Sequence, residues 1–195
     1  MRKIFYIMGK SGSGKDTIYN EILKNEQIKK LKMKEIILHT TRPMRKGESN
    51  GKEYFFISDE EFNNLEKLGN FIEIRKYNTA NGVWKYGTSK NVINEENFIG
   101  IGTLNSYSKL QEYYGNCLIP IYISVEEEVL YKRAIERANG DNNQNVAEIR
   151  RRFEADKLDF SEDNLKKNKI NKRFNNENLK NCVDEIVEYI LKNIE

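Results

Sequence analysis

The stretch Gly9–Lys15, which reads GKSGSGK, decides the fold of this chain. It follows an apolar run that predicts a strand over Lys3–Met8, and it precedes a pattern that predicts a helix to about Leu23. The spacing G-x-x-x-x-G-K between a strand and a helix is typical of a phosphate-binding loop, where backbone N–H groups face phosphate oxygens and Lys15 reaches the β- and γ-phosphates. A plain Gly/Ser turn would explain the glycines but not the lysine.

Strand-like and helix-like segments alternate along the rest of the chain. Further strands are predicted at Ile36–His39, Tyr54–Ile57, Phe71–Tyr77, Phe98–Ile101, Leu118–Ser124 and Ile170–Phe174. Further helices are predicted after Ser58, from Ser124 to about Ala138, over Val146–Phe160 and over Leu179–Ile194, the first two with capping boxes at Ser58/Glu61 and Ser124/Glu127. This alternation indicates an α/β protein with a P-loop NTPase fold, in which helices cover both faces of a parallel sheet.

The 195 residues suit a single domain. We expect residues 1–33, 89–124 and 161–195 to form its core. The segment 34–88 is richer in short strands and is predicted to be an insert, and 125–160 is predicted to be a lid.

Composition excludes several classes of protein. The net charge is only +3, with 33 basic and 30 acidic residues, which disfavours a nucleic-acid partner. No apolar run approaches the roughly 20 residues of a membrane helix. The cysteines Cys117 and Cys182 and the single His39 are too few and too far apart for a zinc site, so reduced thiols and a cytoplasmic location are expected. A monomer and a homodimer are both compatible with the sequence.

A second motif, TTRPMRKGESNGKEYFF, spans Thr40–Phe56. Arg42 and Arg45 lie three residues apart, and Tyr54 follows. Guanidinium groups match phosphate oxygens bidentately, and a phenol adds a neutral donor, so the three side chains could clamp one phosphate. Taken alone, the segment reads equally well as a charged surface loop.

Together with the glycine loop upstream, this motif closely resembles guanylate kinase. The resemblance continues through Phe71-Ile72-Glu73 and Tyr86-Gly87-Thr88 and covers most of the chain. It implies transfer of a phosphoryl group from ATP to GMP with Mg²⁺, giving GDP, with an acceptor-binding insert and a lid.

The resemblance also implies roles for individual residues. The ATP-binding residues would be Gly9, Ser11, Gly12, Ser13, Gly14, Lys15, Asp16, Thr17 and Asn175. The acceptor-binding residues would be Arg42, Arg45, Tyr54 and Tyr86 at the GMP phosphate, Glu73 and Thr88 at the guanine, and Glu48 in support of the arginines. The catalytic residues would be Lys15, Arg42, Arg133, Arg137 and Arg152, the last three from the lid.

Several positions depart from the family pattern. The residue after Lys15 is Asp16, where a hydroxyl that faces Mg²⁺ is usual. Gly100 and Gly102 stand where the family has two aspartates, and Leu38 stands where it has a serine near the base. We expect the metal-facing carboxylate to have moved to Asp16, with the two glycines leaving room for metal-bound water. The alternative is that Asp16 only interacts favourably with the helix N-terminus.

Two alternative functions remain open at this point. The G-K-D loop and the run from Phe98 into the lid also resemble ribose 1,5-bisphosphate phosphokinases. A non-catalytic guanylate-kinase-like module could instead bind phosphorylated peptides through Arg42, Arg45 and Tyr54, although such binding does not need Lys15 or the full glycine loop.

Overall fold

The computed structural model describes residues 2–79, 82–90, 96–140 and 146–194, without the side chains of 134, 137–140, 146–150 and 152. Within these residues the chain forms nine strands and eight α-helices. The strands are Ile4–Gly9 (β1), Lys34–Glu35 (β2), His39–Thr40 (β3), Phe55–Phe56 (β4), Phe71–Thr79 (β5), Gly82–Ser89 (β6), Phe98–Gly102 (β7), Leu118–Ser124 (β8) and Arg173–Asn175 (β9). The helices are Lys15–Lys24 (α1), Glu26–Lys30 (α2), Asp59–Lys67 (α3), Leu104–Tyr114 (α4), Glu127–Gly140 (α5), Val146–Asp159 (α6), Glu162–Lys167 (α7) and Leu179–Ile194 (α8).

Five parallel strands in the order β2-β7-β1-β8-β9 form the main sheet. Side chains of β1 alternate between its faces, so Tyr6 joins a core cluster with α4, while Phe5 joins a second cluster with α1 and α8. Both faces of the sheet are therefore covered by helices, as the alternation of elements predicts. Because the strands are parallel, their carboxyl ends lie on one side of the sheet, and the glycine loop follows the carboxyl end of the central strand β1.

A second sheet, in the order β4-β3-β6-β5, contains both parallel and antiparallel pairs. Helix α3 packs on one face of it, where Phe62 stacks on Phe71 with ring centroids 4.6 Å apart. Gly87 lies under these rings, and a Cβ there would sit 2.8 Å from Phe71 Cδ1. Because side chains alternate along a strand, the neighbouring Tyr86 and Thr88 lie on the opposite face.

The structure corrects the predicted strand at Ile36–His39. The chain leaves the main sheet at Ile36, whose N–H donates to the Ile99 carbonyl, and Leu38 accepts from Phe55 in the second sheet. The predicted strand is thus a crossing between two sheets. Strand β2, which comes just before this crossing in the chain, belongs to the main sheet, although it lies inside the predicted insert 34–88.

Other elements also differ from the sequence prediction. The capping box at Ser58 and Glu61 is confirmed, but the one at Ser124 is wrong, because α5 begins only at Glu127 and the Ser124 hydroxyl donates to the Phe174 carbonyl. Helices α2, α4 and α7 and strand β6 were not predicted. Among the described residues, every helix is too short or too polar to cross a lipid bilayer.

Candidate active site

The glycine loop wraps around the N-terminus of α1. Gly12 and Gly14 have φ angles of 80° and 81°, a left-handed conformation that side chains other than glycine rarely adopt. Gly14 is also crowded, because a Cβ there would lie 2.4 Å from Nδ2 of Asn176. The loop therefore needs glycine at this position both for its backbone angle and for its close packing.

Two side chains from distant parts of the chain hold the loop. Asn176, which is buried, donates from Nδ2 to the Ser13 carbonyl at 2.8 Å. The Ser11 N–H donates to Oδ2 of Asp156 in α6 at 2.5 Å. A loop amide thus already binds an anionic oxygen, which is the chemistry that a phosphate requires.

Lys15 and Asp16 are neighbours in the first turn of α1. Lys15 Nζ lies 3.4 Å from Asp16 Oδ2, and the Asp16 side chain is 74% exposed. Burial raises the pKa of the Tyr54 phenol, and the negative charge of Asp16 contributes to the same shift. Asp16 and Thr17 are both exposed in the first turn of α1.

Arg42 is the most enclosed arginine of the second motif, with 4% of its surface exposed. Its Nη2 and Nη1 donate to the two carboxylate oxygens of Glu48 at 2.7 and 3.0 Å, and Nη1 also donates to the Pro43 carbonyl. These bonds raise the pKa of Arg42 and lower the pKa of Glu48. A guanidinium has five N–H groups, so Nε–H and one Nη2–H remain for a ligand.

Aromatic rings and a second arginine surround Arg42. Its guanidinium lies 5.3 Å from the ring centroid of Tyr54, which in turn lies 5.7 Å from the ring of Tyr86. Arg45 is exposed, and its backbone N–H donates to Glu48 at 2.7 Å. Glu48 thus fixes both ends of the Arg42–Arg45 segment, and the structure brings these predicted phosphate-binding residues together.

Glu73 and Thr88 face each other across the antiparallel pair of β5 and β6. Glu73 is buried, and Thr88 Oγ1 donates to its Oε1 at 2.8 Å. Arg75 lies on the same side of β5 and donates from Nε to Oε2 of Glu73 at 3.1 Å. The predicted pair thus carries a third, cationic member.

The lid arginines are only partly described. Arg133 Nη2 donates to the backbone carbonyl of Asn176 at 3.0 Å, which places it beside the glycine loop. The side chains of Arg137 and Arg152 lie outside the described residues, so their roles stay predictions.

Comparison with known proteins adds independent information. A family model described as guanylate kinase matches residues 1–185. A guanylate kinase of Mesomycoplasma hyopneumoniae (strain 7448) is 32% identical over 206 residues, covering 100% of this chain and 97% of that protein. The chain belongs to the guanylate kinase family.

Two further relatives and one solved structure agree with this assignment. The guanylate kinases of Malacoplasma penetrans (strain HF-2) and Blochmanniella floridana are 36% and 43% identical over 60% and 45% of this chain, and these alignments span only 62% and 39% of those proteins. The crystal structure of guanylate kinase from Anaplasma phagocytophilum is 22% identical, with a TM-score of 0.67 over 98% of this chain and 85% of that chain. The similarity to this solved structure shows a shared fold.

Gly100 and Gly102, which depart from the guanylate kinase pattern, are packed closely against neighbouring side chains. A Cβ at Gly102 would lie 2.0 Å from the hydroxyl of Tyr6, and one at Gly100 would lie 2.8 Å from Ile36 Cδ1. Leu38 is buried in the same core cluster as Ile36 and Tyr6. The expectation that the glycines leave room for water is therefore wrong, because Tyr6 and Ile36 occupy that space.

The chain of this guanylate kinase family member has two adjacent asparagines at the end of β9, and the ATP-binding role of the first, Asn175, near the adenine stays a prediction. Asn175, the predicted ATP-binding residue, is exposed and donates to Glu177 at 2.9 Å. Asn176, one residue on, is the one that bonds the loop. The sequence offers two adjacent asparagines, and only the direction of their side chains at the end of β9 separates them.

Arg75 and Asp156 were not predicted as members of the site. Asp156 lies 145 residues from its partner Ser11, and nothing in the local pattern connects them. Arg75 did carry a signal, because it lies two residues from Glu73 in a strand and such residues share a face.

Proposed function

We propose that this chain transfers the γ-phosphoryl group of ATP to GMP and produces ADP and GDP. The observation that carries the proposal is the presence of two groups suited to bind phosphate. One is the glycine loop with Lys15, and the other is the Arg42–Glu48 pair with Tyr54.

ATP would lie with its phosphates on the loop. The left-handed glycines leave backbone N–H groups free to converge, and the N-terminus of α1 adds partial positive charge. Asp156 would give way to a phosphate oxygen at the Ser11 N–H. Lys15, 23% exposed on its side chain, would then contact the β- and γ-phosphates.

GMP would bind on the open face of the second sheet. The free Nε–H and Nη2–H of Arg42, with Arg45 and the phenols of Tyr54 and Tyr86, would hold its phosphate. Glu73 would accept hydrogen bonds from guanine N1–H and the 2-amino group. Thr88, whose single O–H donates to Glu73 in this structure, would turn it to O6. These contacts would direct a phosphate oxygen of GMP toward the loop as the nucleophile.

Catalysis would depend on position and electrostatics, because a phosphate oxygen is already a nucleophile and needs no strong general base. Lys15, Arg42 and Arg133 would spread the charge that develops on the transferred group, together with Arg137 and Arg152 of the lid. The burial of Arg42 strengthens its contribution, since charges interact more strongly away from water.

Asp16 is the residue that we propose for Mg²⁺. The described residues contain no cluster of three or more His, Cys, Asp or Glu side chains suited to a metal. This fits Mg²⁺, which is usually held by one or two carboxylates together with substrate phosphates and water. The exposed carboxylate of Asp16 would hold Mg²⁺, which would compensate the phosphate charge.

Direct product analysis tests the proposal. Wild-type protein incubated with ATP, Mg²⁺ and GMP should form ADP and GDP in equal amounts, measured by ion-exchange chromatography. Lys15→Ala should abolish both products while its circular dichroism spectrum is unchanged, because Lys15 lies in a partly exposed loop. The matched control is Lys24→Ala, at the other end of α1, which should keep wild-type activity. Near-normal activity of Lys15→Ala would contradict the assignment of the loop.

A further inference from the structure

Arg75 is a nearly buried cation at the centre of the face where GMP is proposed to bind. It pairs in register with Tyr86, two residues from the Glu73–Thr88 pair. Its side chain is 15% exposed. A guanidinium so enclosed needs a compensating anion, and Glu73 is that anion.

The hydrogen bonds of Glu73 are distributed unevenly between its two oxygens. Oε1 accepts from Thr88 at 2.8 Å and weakly from Arg75 Nη2 at 3.5 Å, whereas Oε2 accepts from Arg75 Nε at 3.1 Å. One end of the carboxylate therefore adjoins a hydroxyl, and the other adjoins a guanidinium. Each oxygen has two lone pairs, so both can still accept from a ligand.

Thr88, Glu73 and Arg75 are thus linked as a donor, an acceptor and a donor. The donors are the Thr88 hydroxyl and the Arg75 guanidinium, and Glu73 lies between them. A 6-oxopurine presents O6 as an acceptor, N1–H as a donor, and then its substituent at C2. In guanine that substituent is an amino group, which suits Oε2 of Glu73. A carbonyl at C2 would be repelled by a carboxylate alone but can accept from Arg75.

Nearby positions add no competing carboxylate. Leu38 is apolar and buried, and Gly102 is packed against the Tyr6 hydroxyl, which bonds to Ser106 at 2.8 Å. Glu73 and Arg75 form the ion pair beside Thr88, where the C2 side of the base is proposed to lie. The Glu73–Arg75 pair, rather than two acidic residues, then determines which substituent at C2 of the base is accepted.

We infer that Arg75 is a specificity-determining residue which extends the acceptor range to a 6-oxopurine nucleoside monophosphate with a carbonyl at C2, namely xanthosine 5′-monophosphate. This inference rests on the proposed phosphorylation of GMP. Inosine 5′-monophosphate, which has only hydrogen at C2, provides the reference acceptor, because Arg75 has nothing to bind there.

The test compares kcat/KM for these three acceptors with ATP and Mg²⁺. The wild type should phosphorylate xanthosine monophosphate. Arg75→Ala should lower kcat/KM for this acceptor by roughly tenfold to a hundredfold, the range of one lost charge-assisted hydrogen bond. The values for GMP and inosine monophosphate should fall less than that, because Arg75 compensates the buried charge of Glu73 for every acceptor. The ratio of kcat/KM for xanthosine monophosphate to kcat/KM for GMP should therefore fall by roughly tenfold. The ratio between acceptors distinguishes this role from a general loss of structure.

A second variant and a control distinguish a change in acceptor specificity from a general loss of folding. Arg75→Lys keeps the charge beside Glu73 but loses the planar fork, so it should fall between wild type and Arg75→Ala for xanthosine monophosphate. Lys76→Ala removes an exposed cation on the other side of β5, where it contacts Glu66, and should leave all three values unchanged. Calorimetric binding of each acceptor without ATP should give the same order of affinities.

The outcomes separate this inference from the function on which it rests. If GMP is phosphorylated but wild type ignores xanthosine monophosphate, or if neither Arg75 variant changes the ratio, the inference is wrong and the proposed function stands. If wild type does not phosphorylate GMP, the proposed function is wrong and the inference falls with it.

Discussion

Replacing Asn176 with alanine should weaken the glycine loop and ATP binding together. The change removes Nδ2, which donates to the Ser13 carbonyl at 2.8 Å across 163 residues of sequence. It keeps the backbone carbonyl of Asn176, so the hydrogen bond from Arg133 to that atom can persist. The perturbation therefore acts on one contact of the loop and leaves the neighbouring contact of α5 in place.

The structure sets the size of the effect. Asn176 is 3% exposed, and the lost bond leaves a buried carbonyl without its donor, which costs about 1–3 kcal/mol. Asn176 Oδ1 has no hydrogen-bond partner in the described part of the chain, so its removal recovers part of this cost. For a chain of this size, each kcal/mol lowers Tm by roughly 2–4 °C. We expect a Tm lower by about 2–8 °C and a KM for ATP raised about fivefold or more.

Thermal unfolding and steady-state kinetics at saturating GMP measure both quantities. Asn175→Ala is the matched control for stability, because the same side chain is removed one residue away, where it is exposed and donates to Glu177. It should change Tm by less than about 2 °C. Equal effects of the two substitutions, or a larger effect of Asn175→Ala, would refute the view that Asn176 supports the loop.

Three further predictions concern other parts of the site. Arg42→Ala and Arg45→Ala should each raise the KM for GMP by roughly tenfold to a hundredfold while the KM for ATP stays constant, because each loses a charge-assisted bond to the acceptor phosphate; unchanged kinetics in both would make this a surface loop. Asp16→Ser should lower kcat and raise the Mg²⁺ concentration that gives the half-maximal rate, and a shift in Tm alone would leave Asp16 with only a favourable interaction at the helix N-terminus. Burial lowers the pKa of His39 below its ordinary value of 6.5, so the folded state favours the neutral ring. The free energy of unfolding should have its full value above pH 6.5 and should decline as the pH falls through the lower pKa of the folded state. Urea unfolding at about pH 7.5 and 5.5 should show this decline in wild type and a smaller one in His39→Gln, and equal declines would contradict it.

Much of the main sheet follows from the sequence, because β1, β7 and β8 are short apolar runs. The predicted ranges of β8 and α8 agree with the structure, and β1 is shifted by one residue. Helix α4 lacks the expected signal. Its capping box pairs Thr103 with Ser106 rather than with Glu or Gln, and its buried face carries two tyrosines, Tyr107 and Tyr114. The division into core, insert and lid stays a prediction.

The candidate site is predictable where residues are close in sequence. Arg42 and Glu48 are six residues apart in one motif, and the structure joins them directly. Contacts between distant segments, such as that of Asn176 with Ser13, depend on how β9 meets the loop and have no local pattern. The packing at Gly102 has no local pattern either, since the space that a side chain there would need is occupied by Tyr6, from a distant part of the chain.

Acceptor selectivity in a coupled ADP-release assay tests the proposed reaction most directly. ATP and Mg²⁺ are held constant, and GMP, AMP, CMP, UMP and ribose 1,5-bisphosphate are supplied separately at equal concentrations. We predict rapid ADP release with GMP and little with the other four, because Glu73 and Thr88 recognise a 6-oxopurine and the Arg42–Glu48 pair holds its phosphate. ADP release with ribose 1,5-bisphosphate but not with GMP would contradict the guanine assignment. No release with any acceptor, combined with binding of a phosphorylated peptide, would contradict catalysis itself.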